Sequence, residues 1–522
     1  MTALVILALA PSAHAARGFS LGVQAGDVTA RSAILWAKAN RGGAYTLDVA
    51  RNRRFTRGLD AYLVRARKRD NNTVQRRVRG LRPDTRYFYR FSRGRRRSDV
   101  GTFVTAPRAS QDATVEFAWT GDTDFNTAPG RRRPHWNGGG IYGRMRAERN
   151  DFNVNLGDTI YSDSEIPGRL EPLALTVRQK WSKYRINLRN RQLRALRAGA
   201  GLYSHWDDHE FIDDFSPAEN SFEPFLDADV LSMNGRVLYR RGARAFRDYS
   251  PVTWSSRNGL YRRVRWGRNL ELFFLDQRSF RSANADANGV CNNPQTGEPD
   301  LAPTAPQRLR AEFAPLYPPF GSSVSQACID AIRDPNRTYL GERQRERFLR
   351  AVRRSSARFK VIMNELAIQQ YYLNLYDRWE GFEADRQRVL AGLQGVRNVI
   401  FLSADVHATL ANDARFQTLE DGGPRNSGIM DITVGPAATL DFEEEIDEAT
   451  DRDGTGQLAD AGFLTPPPPN GVGMQCSVID RFSYGQVKVT RNRLTVTPKD
   501  INGRRLTDDG RPCGPFVLNF SN

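Results

Sequence analysis

Four clusters of acidic and histidine residues, each placed to follow an apolar strand-like run, constrain the fold of this 522-residue chain most strongly. The clusters are Thr120-Gly-Asp122-Thr-Asp124, Leu156-Gly-Asp158-Thr-Ile-Tyr161-Ser-Asp163, His205-Trp-Asp207-Asp208-His209-Glu210 and Ser403-Ala-Asp405-Val-His407. Helix-like segments lie between the runs, notably at 173–197 and 341–355. Strands that alternate with helices predict an α/β sheet, and such sheets bind ligands at the carboxyl ends of their strands. The four clusters are therefore predicted to converge on one site.

The residue types in these clusters predict a metal site built mostly from oxygen ligands. The chain has five histidines and four cysteines, which excludes a site made mainly of imidazole or thiolate groups. Carboxylates with few imidazoles suit hard cations such as Ca²⁺, Mg²⁺ or Fe³⁺ better than Zn²⁺. Two such cations about 3.5–4 Å apart can hold one hydroxide together with the non-bridging oxygens of a phosphate ester. Asp158 is the natural bridge between two cations, and the phenolate of Tyr161 suits Fe³⁺.

The same clusters contain a candidate proton donor and several supporting acids. His209, next to Asp208, is placed to donate a proton to the leaving oxygen or to stabilise the charge that develops on it. Asp207 is interpreted as a supporting acid, and Asp124 and Asp163 as acids that lie outside the set of metal ligands.

Short strand-like runs over residues 18–107 predict a small β-sandwich domain ahead of the α/β part. A polar linker at 108–114 separates it from a catalytic domain at 115–522. Within that domain, 215–250, 282–338 and 440–474 are interpreted as insertions. The last is acidic and ends in four prolines, so it is predicted to be a surface loop.

The start of the chain and its cysteines predict export. Residues 1–15 form a short apolar run that ends in Ala13-His-Ala15, which is typical of the end of a signal peptide. No segment is predicted to span a membrane. Cys291, Cys328, Cys476 and Cys513 favour two disulfides; three pairings are open, and sequential pairing is the simplest. The protein is therefore predicted to be secreted or to reside in the cell envelope.

The net charge of +18, from 77 basic and 59 acidic residues, favours anionic partners such as phosphate esters, nucleic acid or an anionic envelope. Coding bias that enriches a solvated surface in arginine would explain the positive charge equally well, without any anionic partner. No basic stripe with interleaved aromatic residues is present, so no specific nucleic-acid-binding module is predicted. The sequence does not define the oligomeric state.

Together these motifs resemble the alkaline phosphatase D (PhoD-like) family of metallophosphoesterases, and the resemblance spans most of the chain. The motifs that carry it are Leu21-Gly-Val-Gln-Ala-Gly-Asp-Val, Ile34-Leu-Trp-Ala-Lys, Leu156-Gly-Asp-Thr-Ile-Tyr, Trp206-Asp-Asp-His-Glu, Leu275-Asp-Gln-Arg, Trp379-Glu-Gly-Phe and Leu402-Ser-Ala-Asp-Val-His. A Gly-Asp pair is weak by itself, whereas Trp-Asp-Asp-His-Glu followed by Ser-x-Asp-Val-His is specific.

The resemblance implies a four-layer α/β metallophosphatase sandwich and a site that uses Fe³⁺ with Ca²⁺, with Mn²⁺, Zn²⁺ or Mg²⁺ as alternatives. Carried over by position, the metal ligands are Asp122, Asp158, Tyr161, Asp208, Asp405 and His407. His209 is implied to be catalytic, and Arg278 is a candidate to clamp phosphate through its two-pronged guanidinium.

One position departs clearly from the family pattern, and Asp276-Gln-Arg278 departs modestly from the usual Asp-Thr-Arg. The first family motif commonly ends in Ser-Cys-Gln, with the cysteine as an iron ligand, whereas this chain has Gly121-Asp122-Thr123. A metal is still expected, but an oxygen ligand in place of a thiolate leaves its identity open.

The sequence thus predicts a secreted, metal-dependent phosphoesterase that hydrolyses phosphomonoesters, and secondarily phosphodiesters, by attack of metal-bound hydroxide on phosphorus. One alternative is a phosphodiesterase that acts on wall polymer, phospholipid or nucleic acid. Another is a non-catalytic relative that binds the envelope, although the complete set of acids argues against it.

Overall fold

The structure is a computed structural model that describes residues 18–164, 166, 173–221 and 233–521. The predicted signal peptide at 1–15 lies outside the described residues. So does 222–232, which is part of the insertion predicted at 215–250.

The strands of the first half of the chain are β1 (Val23–Gly26), β2 (Ser32–Lys38), β3 (Gly43–Ala50), β4 (Asp60–Ala66), β5 (Thr73–Arg79), β6 (Arg86–Arg93), β7 (Arg96–Arg97), β8 (Gly101–Val104), β9 (Val115–Thr120), β10 (Phe152–Leu156), β11 (Gly201–His205), β12 (Asn220–Ser221) and β13 (Met233–Asn234). Those of the second half are β14 (Arg262–Trp266), β15 (Leu270–Phe274), β16 (Phe359–Met363), β17 (Val399–Ser403), β18 (Thr409–Gln417), β19 (Arg425–Thr433), β20 (Cys476–Val478), β21 (Ser483–Val489), β22 (Arg493–Asp500), β23 (Thr507–Asp508), β24 (Arg511–Pro512) and β25 (Phe516–Asn519).

The helices are α1 (Gly140–Ala147), α2 (Val177–Asn187), α3 (Arg191–Gly199), α4 (Gly235–Tyr249), α5 (Gln307–Phe313), α6 (Gln326–Arg333), α7 (Glu342–Arg353), α8 (Glu383–Leu393), α9 (Phe442–Thr450) and α10 (Thr455–Ala459). Short 3-10 turns occupy Lys68–Asp70, Pro318–Gly321 and Trp379–Phe382, and a π-helical turn occupies Asp460–Leu464. The helix predicted at 173–197 is two helices, because Asn190 accepts hydrogen bonds from the backbone N–H groups of Gln192 and Leu193 and so begins α3.

Two large mixed sheets face each other through their apolar sides. Among the described residues, the first sheet has the order β25-β22-β21-β9-β10-β11-β1-β2-β5 and the second has the order β14-β15-β16-β17-β19-β18-β20. Strands β9, β10 and β11 are parallel, as are β15, β16, β17 and β19. Phe117 and Val154 of the first sheet lie in one buried cluster with Leu272, Val361 and Leu402 of the second.

Helices cover the outer faces of both sheets. Side chains of α1 to α4, such as Ile141 and Leu238, lie in a second buried cluster with Ala118 of the first sheet. On the other side, Phe348 of α7 packs in a third cluster that includes Phe273 of the second sheet. The order helix, sheet, sheet, helix confirms the predicted four-layer α/β sandwich.

Residues 18–107 are all-β, and three of their strands continue the first large sheet. Ala25 in β1 pairs in parallel with Gly201 in β11, and β2 and β5 extend the sheet outward. The strands β3, β4, β6, β7 and β8 form a separate smaller sheet. The two parts of the chain therefore share one hydrophobic core.

The four cysteines pair sequentially as Cys291–Cys328 and Cys476–Cys513, which confirms the simplest predicted pairing. Among the described residues, no helix combines the length and the apolar character needed to cross a membrane.

The segment 440–474 contains the helices Phe442–Thr450 and Thr455–Ala459 and the π-helical turn Asp460–Leu464, so its prediction as a surface loop was wrong. Asp441 and Glu444 form a reciprocal capping box that begins α9, a helix-start signal inside the acidic run. Phe442 and Leu464 of this segment share a buried cluster with Leu309 of the 282–338 segment. The two segments therefore pack against each other.

Candidate metal centre

The site lies where the carboxyl ends of parallel strands from both large sheets meet. Asp122 follows β9, Asp158 follows β10, and Asp405 follows β17 of the facing sheet. The two sheets are joined at this edge, because the Trp119 indole donates to the carbonyl of Ser403 at 2.9 Å and the backbone N–H of Asp405 donates to Asp122 Oδ1 at 3.2 Å. The predicted convergence of distant clusters therefore occurs in the fold.

Two groups of potential ligand atoms share Asp158. One group consists of Asp122, Asp158 and His407, and the other of Asp158, Asp208 and His209. Within each group, one ligand atom from each residue lies within 4.8 Å of the others, and all these residues are buried. This sharing is the arrangement expected of a carboxylate that bridges two cations.

Burial disfavours the ionised form of two carboxylates at this site, Asp122 and Asp158. Burial raises the pKa of Asp122 to about 6. Burial and the neighbouring Asp208 raise the pKa of Asp158 well above its ordinary value. Asp122 Oδ2 is buried and has no hydrogen-bond partner among the described residues. A cation satisfies both conditions, so this donor set fits a metal with a preference for oxygen.

The backbone at these positions is held in unusual conformations. The φ angles are 61° at Asp122, 46° at Asp158, 69° at Asp405 and 54° at His407. For residues other than glycine such conformations cost on the order of 1–3 kcal/mol each and concentrate at functional sites. Gly157, with φ of 112°, permits the close approach of the third cluster, since a Cβ there would lie 2.6 Å from the Cβ of Asp207.

Tyr161 lies between the two histidines of the site. Its ring stacks on His209 with a centroid separation of 4.0 Å, and its hydroxyl is 2.9 Å from His407 Nε2. The phenol is buried beside the group of Asp122, Asp158 and His407. Its oxygen is thus close enough to His407 for the two to bind the same ion.

His209 is held by a carboxylate on its far side. Asp163 Oδ1 lies 2.7 Å from His209 Nδ1. Burial alone lowers the pKa of His209, but Asp163, Asp208 and Asp158 together raise it well above its ordinary value. The contact with His209 gives Asp163 a defined partner in the site.

Glu210 ties two of the loops together. Its carboxylate accepts hydrogen bonds from the backbone N–H groups of Thr159 and Asp207, both at 2.7 Å. Burial raises the pKa of Glu210 to about 7. Because Thr159 directly follows Asp158, this acid fixes the spacing between the second and third clusters.

Arg278 is buried among carboxylates. Its Nη1 and Nη2 donate to the two oxygens of Asp377 at 2.6 Å each, and its Nε donates to Asp207. Its Nη2 also lies 3.4 Å from Asp208 and 3.6 Å from Asp405. The guanidinium fork that was predicted to clamp phosphate is occupied by Asp377 in this structure.

Asp377 and Glu445 are site residues that the sequence reasoning missed. Asp377 contacts Arg281 Nη1 at 2.6 Å as well as Arg278, so it links two buried arginines. Glu445 of α9 contacts His407 Nδ1. The available signals were the position of Asp377 two residues before the Trp379-Glu-Gly-Phe motif and the capping box that begins α9.

Comparison with known proteins identifies similar sequences along most of the chain. The family model described as PhoD-like phosphatase matches residues 128–496, and the model described as PhoD-like phosphatase, N-terminal domain, matches residues 7–107. Alkaline phosphatase D of Bacillus subtilis (strain 168) is 26% identical over 437 residues, which cover 76% of this chain. The chain spans 65% of the length of that relative.

Two solved structures share the fold. A structure of PhoD matches with a TM-score of 0.71 and 18% identity, over 97% of this chain and 95% of the other. A purple acid phosphatase from yellow lupin (Lupinus luteus) seeds matches with a TM-score of 0.54 and 11% identity, over 95% of this chain and 73% of the other. These likenesses independently support the four-layer assignment.

Proposed function

The chain belongs to the PhoD-like phosphatase family, and on that premise we propose that it is a metal-dependent phosphoesterase that hydrolyses phosphomonoesters in preference to phosphodiesters. The observation that carries the proposal is Asp158, which belongs to two of the four groups of potential metal ligands among the described residues, one with Asp122 and His407 and one with Asp208 and His209. A carboxylate shared between two cations is an arrangement that supports phosphate-ester hydrolysis, because a pair of cations can stabilise both the attacking and the leaving oxygen.

We assign Asp122, Asp158, Tyr161, Asp208, Asp405 and His407 as the residues that hold the cations, with Fe³⁺ and Ca²⁺ as the proposed pair. When bound, the cations supply Lewis acidity toward the phosphate oxygens and acidify water. The orphaned oxygen of Asp122 and the raised pKa values of Asp122 and Asp158 support this assignment.

The remaining residues position groups and transfer a proton. Asp163 holds His209 Nδ1, so His209 Nε2 is the nitrogen that delivers a proton to the leaving oxygen. Arg278 holds Asp207, Asp208 and Asp405 in place rather than clamping the substrate, because its fork is occupied by Asp377. Arg278 thus acts on the reaction through the metal ligands.

The preference for monoesters is tested with an aryl phosphate and the corresponding diaryl diester. We expect kcat/KM to be larger for the monoester by about tenfold or more, a difference of about 1.4 kcal/mol. A larger value for the diester would reverse the preference. No hydrolysis of either ester with Fe³⁺, Ca²⁺, Mn²⁺ or Zn²⁺ supplied would favour a non-catalytic relative instead.

Elemental analysis with a visible spectrum tests the proposed iron. We expect a tyrosinate-to-Fe³⁺ charge-transfer band that disappears in Tyr161→Phe, because the Tyr161 hydroxyl lies 2.9 Å from His407 Nε2. The control is Tyr371→Phe, a buried tyrosine whose hydroxyl contacts Thr433 at 3.1 Å, and this variant should keep the band. If elemental analysis found stoichiometric Zn²⁺ or Mn²⁺ and the spectrum showed no such band, the proposal of iron would be refuted. The proposal that the protein hydrolyses phosphate esters would still stand.

Glu445→Gln tests whether α9 supports the metal ligand His407. We expect the metal affinity or kcat/KM to fall by roughly 10–100-fold, which is typical when the carboxylate behind a ligating histidine is removed. Glu448→Gln is the matched control, because Glu448 is an exposed acid on the same helix. Equal affinities in both variants and the wild type would show that Glu445 does not support His407.

We also propose that the protein works outside the cytoplasm, secreted or in the cell envelope. The two disulfides support this location, since such bonds form and persist in oxidising compartments. Within the chain, we propose 18–107 as an N-terminal β domain and 115–522 as the catalytic domain.

A further inference from the structure

The positive charge of the chain is concentrated in its N-terminal part. Residues 18–107 contain 21 lysines and arginines, six aspartates and no glutamate, a net charge of +15 out of the +18 of the whole chain. Of these 21 basic residues, 19 are arginines. Such an asymmetry within one chain indicates a surface that meets an anionic partner.

Many of these basic residues lie at one end of the small sheet, which we name the basic end. It consists of Arg41, Arg65, Arg67, Lys68, Arg69, Arg93, Arg95, Arg96 and Arg97, all of them exposed. They share this end because Gly43 at the start of β3 pairs with Ala66 at the end of β4. Arg93 at the end of β6 donates to the carbonyl of Gly42 at 3.1 Å, which brings the Arg93–Arg97 turn to the same place.

An open cleft of about 380 Å³ continues from the basic end between β4 and β5. Arg65, Arg67 and Arg76 line it, together with Asp70 and Asp248. Leu63 and Val64 also line the cleft, so it gives the basic end a concave floor of mixed polar and apolar character on which an extended chain can lie.

The acids near the basic end are already engaged by arginines of the catalytic region. Arg244 pairs with Asp70 at 2.7 Å and with Asp248 at 2.9 Å. Asp99, which follows the Arg93–Arg97 turn, pairs with Arg194 at 3.2 Å. By contrast, Arg41, Arg65, Arg67, Arg95 and Arg97 form no ion pair with any described residue. The excess positive charge therefore remains available to a partner.

The side chains at this surface favour phosphate over other anions. Arginine presents a planar fork that binds phosphate through two parallel hydrogen bonds, whereas lysine acts as a point charge. The exposed large hydrophobic side chains of the described residues are Leu59, Leu63, Val290, Leu458 and Val517, none of them aromatic. A surface that reads single-stranded nucleic acid needs aromatic platforms for the bases, so a phosphate chain without bases fits better.

We infer that the basic end and its cleft bind a linear polymer that carries a phosphate at every repeat. This binding is separate from the proposed catalytic site, and it holds whether or not the polymer is also a substrate. Binding releases the counterions condensed on the polymer, so the affinity falls as salt concentration rises.

The test measures binding of labelled inorganic polyphosphate to the full chain, with excess inorganic phosphate present to occupy the catalytic site. The test variant is Arg65→Gln/Arg67→Gln/Arg95→Gln/Arg97→Gln. The matched control is Arg240→Gln/Arg354→Gln/Arg388→Gln/Arg493→Gln, which removes the same charge from exposed positions elsewhere. We expect the test variant to bind polyphosphate roughly tenfold or more weakly than the wild type. We also expect its plot of log binding constant against log salt concentration to be shallower by a slope of about 3. The affinity of the control should change by less than about twofold.

Hydrolysis of an aryl phosphate by both variants should stay within about twofold of wild type, which shows that the fold is intact. Equal losses of affinity in the two variants would overturn the inference, because net charge rather than this surface would then determine binding. Equally tight binding of poly-glutamate would overturn the preference for phosphate. Tighter binding of a single-stranded oligonucleotide than of polyphosphate would identify a nucleic-acid surface and overturn it as well.

Discussion

Asp158→Asn is expected to lower kcat/KM by about 10³-fold or more, which corresponds to about 4 kcal/mol of transition-state stabilisation. Asparagine keeps the shape of the side chain but removes the charge that both groups of ligand atoms share. Since Asp158 is buried, no solvent replaces the lost carboxylate. The measurements are kcat/KM on an aryl phosphate and the number of metal ions bound per chain, and both are expected to fall.

Asp163→Asn provides the comparison that separates metal binding from proton transfer. Asp163 is buried in the same loop, but it belongs to neither group of potential ligands, and its contact with the site is through His209 Nδ1. This variant should retain its metal ions while its activity falls. If Asp158→Asn kept the metal content of the wild type and lost less than about tenfold in kcat/KM, Asp158 would not be a bridging ligand.

The four clusters could be placed at one edge from the sequence because of a simple property of parallel strands. The carboxyl ends of β9, β10 and β11 lie at the same edge of the first sheet, so the acids that follow these strands meet there. The acids that follow β17 reach this edge from the facing sheet, where the Asp405 backbone N–H donates to Asp122. The two-layer stacking of the sheets follows from runs that are apolar on both sides, such as the Val-Ile-Phe-Leu run of Val399–Ser403, which is buried throughout. The acids that follow the strands and the apolar runs are local features of the sequence, so both could be predicted from it.

The contact partners of individual side chains could not be predicted from the sequence in the same way. Arg278 was expected to meet phosphate, yet Asp377, 99 positions further along the chain, occupies its fork. Glu445 reaches His407 from a segment that was expected to be a loop. Both contacts depend on how distant segments pack, which residue spacing does not encode. The left-handed φ angles of Asp122 and Asp405 also arise from that packing.

His209→Gln is expected to discriminate between substrates by the quality of their leaving groups. A proton donor matters most when the leaving alkoxide is a strong base, so the loss in kcat should be about 10²–10⁴-fold for alkyl phosphates. It should be much smaller for p-nitrophenyl phosphate, whose leaving group departs without a proton. The measurement is the dependence of log kcat on leaving-group pKa, which should become steeper in the variant.

His135→Gln is the matched control for this prediction, because His135 is an exposed histidine whose ring packs against Trp136 at 4.6 Å. The metal content of His209→Gln decides between two roles for His209. Its imidazole also lies in the ligand group with Asp158 and Asp208, so it has the geometry of a ligand as well as of a proton donor. Full metal content with a steeper leaving-group dependence establishes proton donation. Loss of one metal ion with a uniform loss of activity across all leaving groups would make His209 a ligand, and the proton would then have to come from another group.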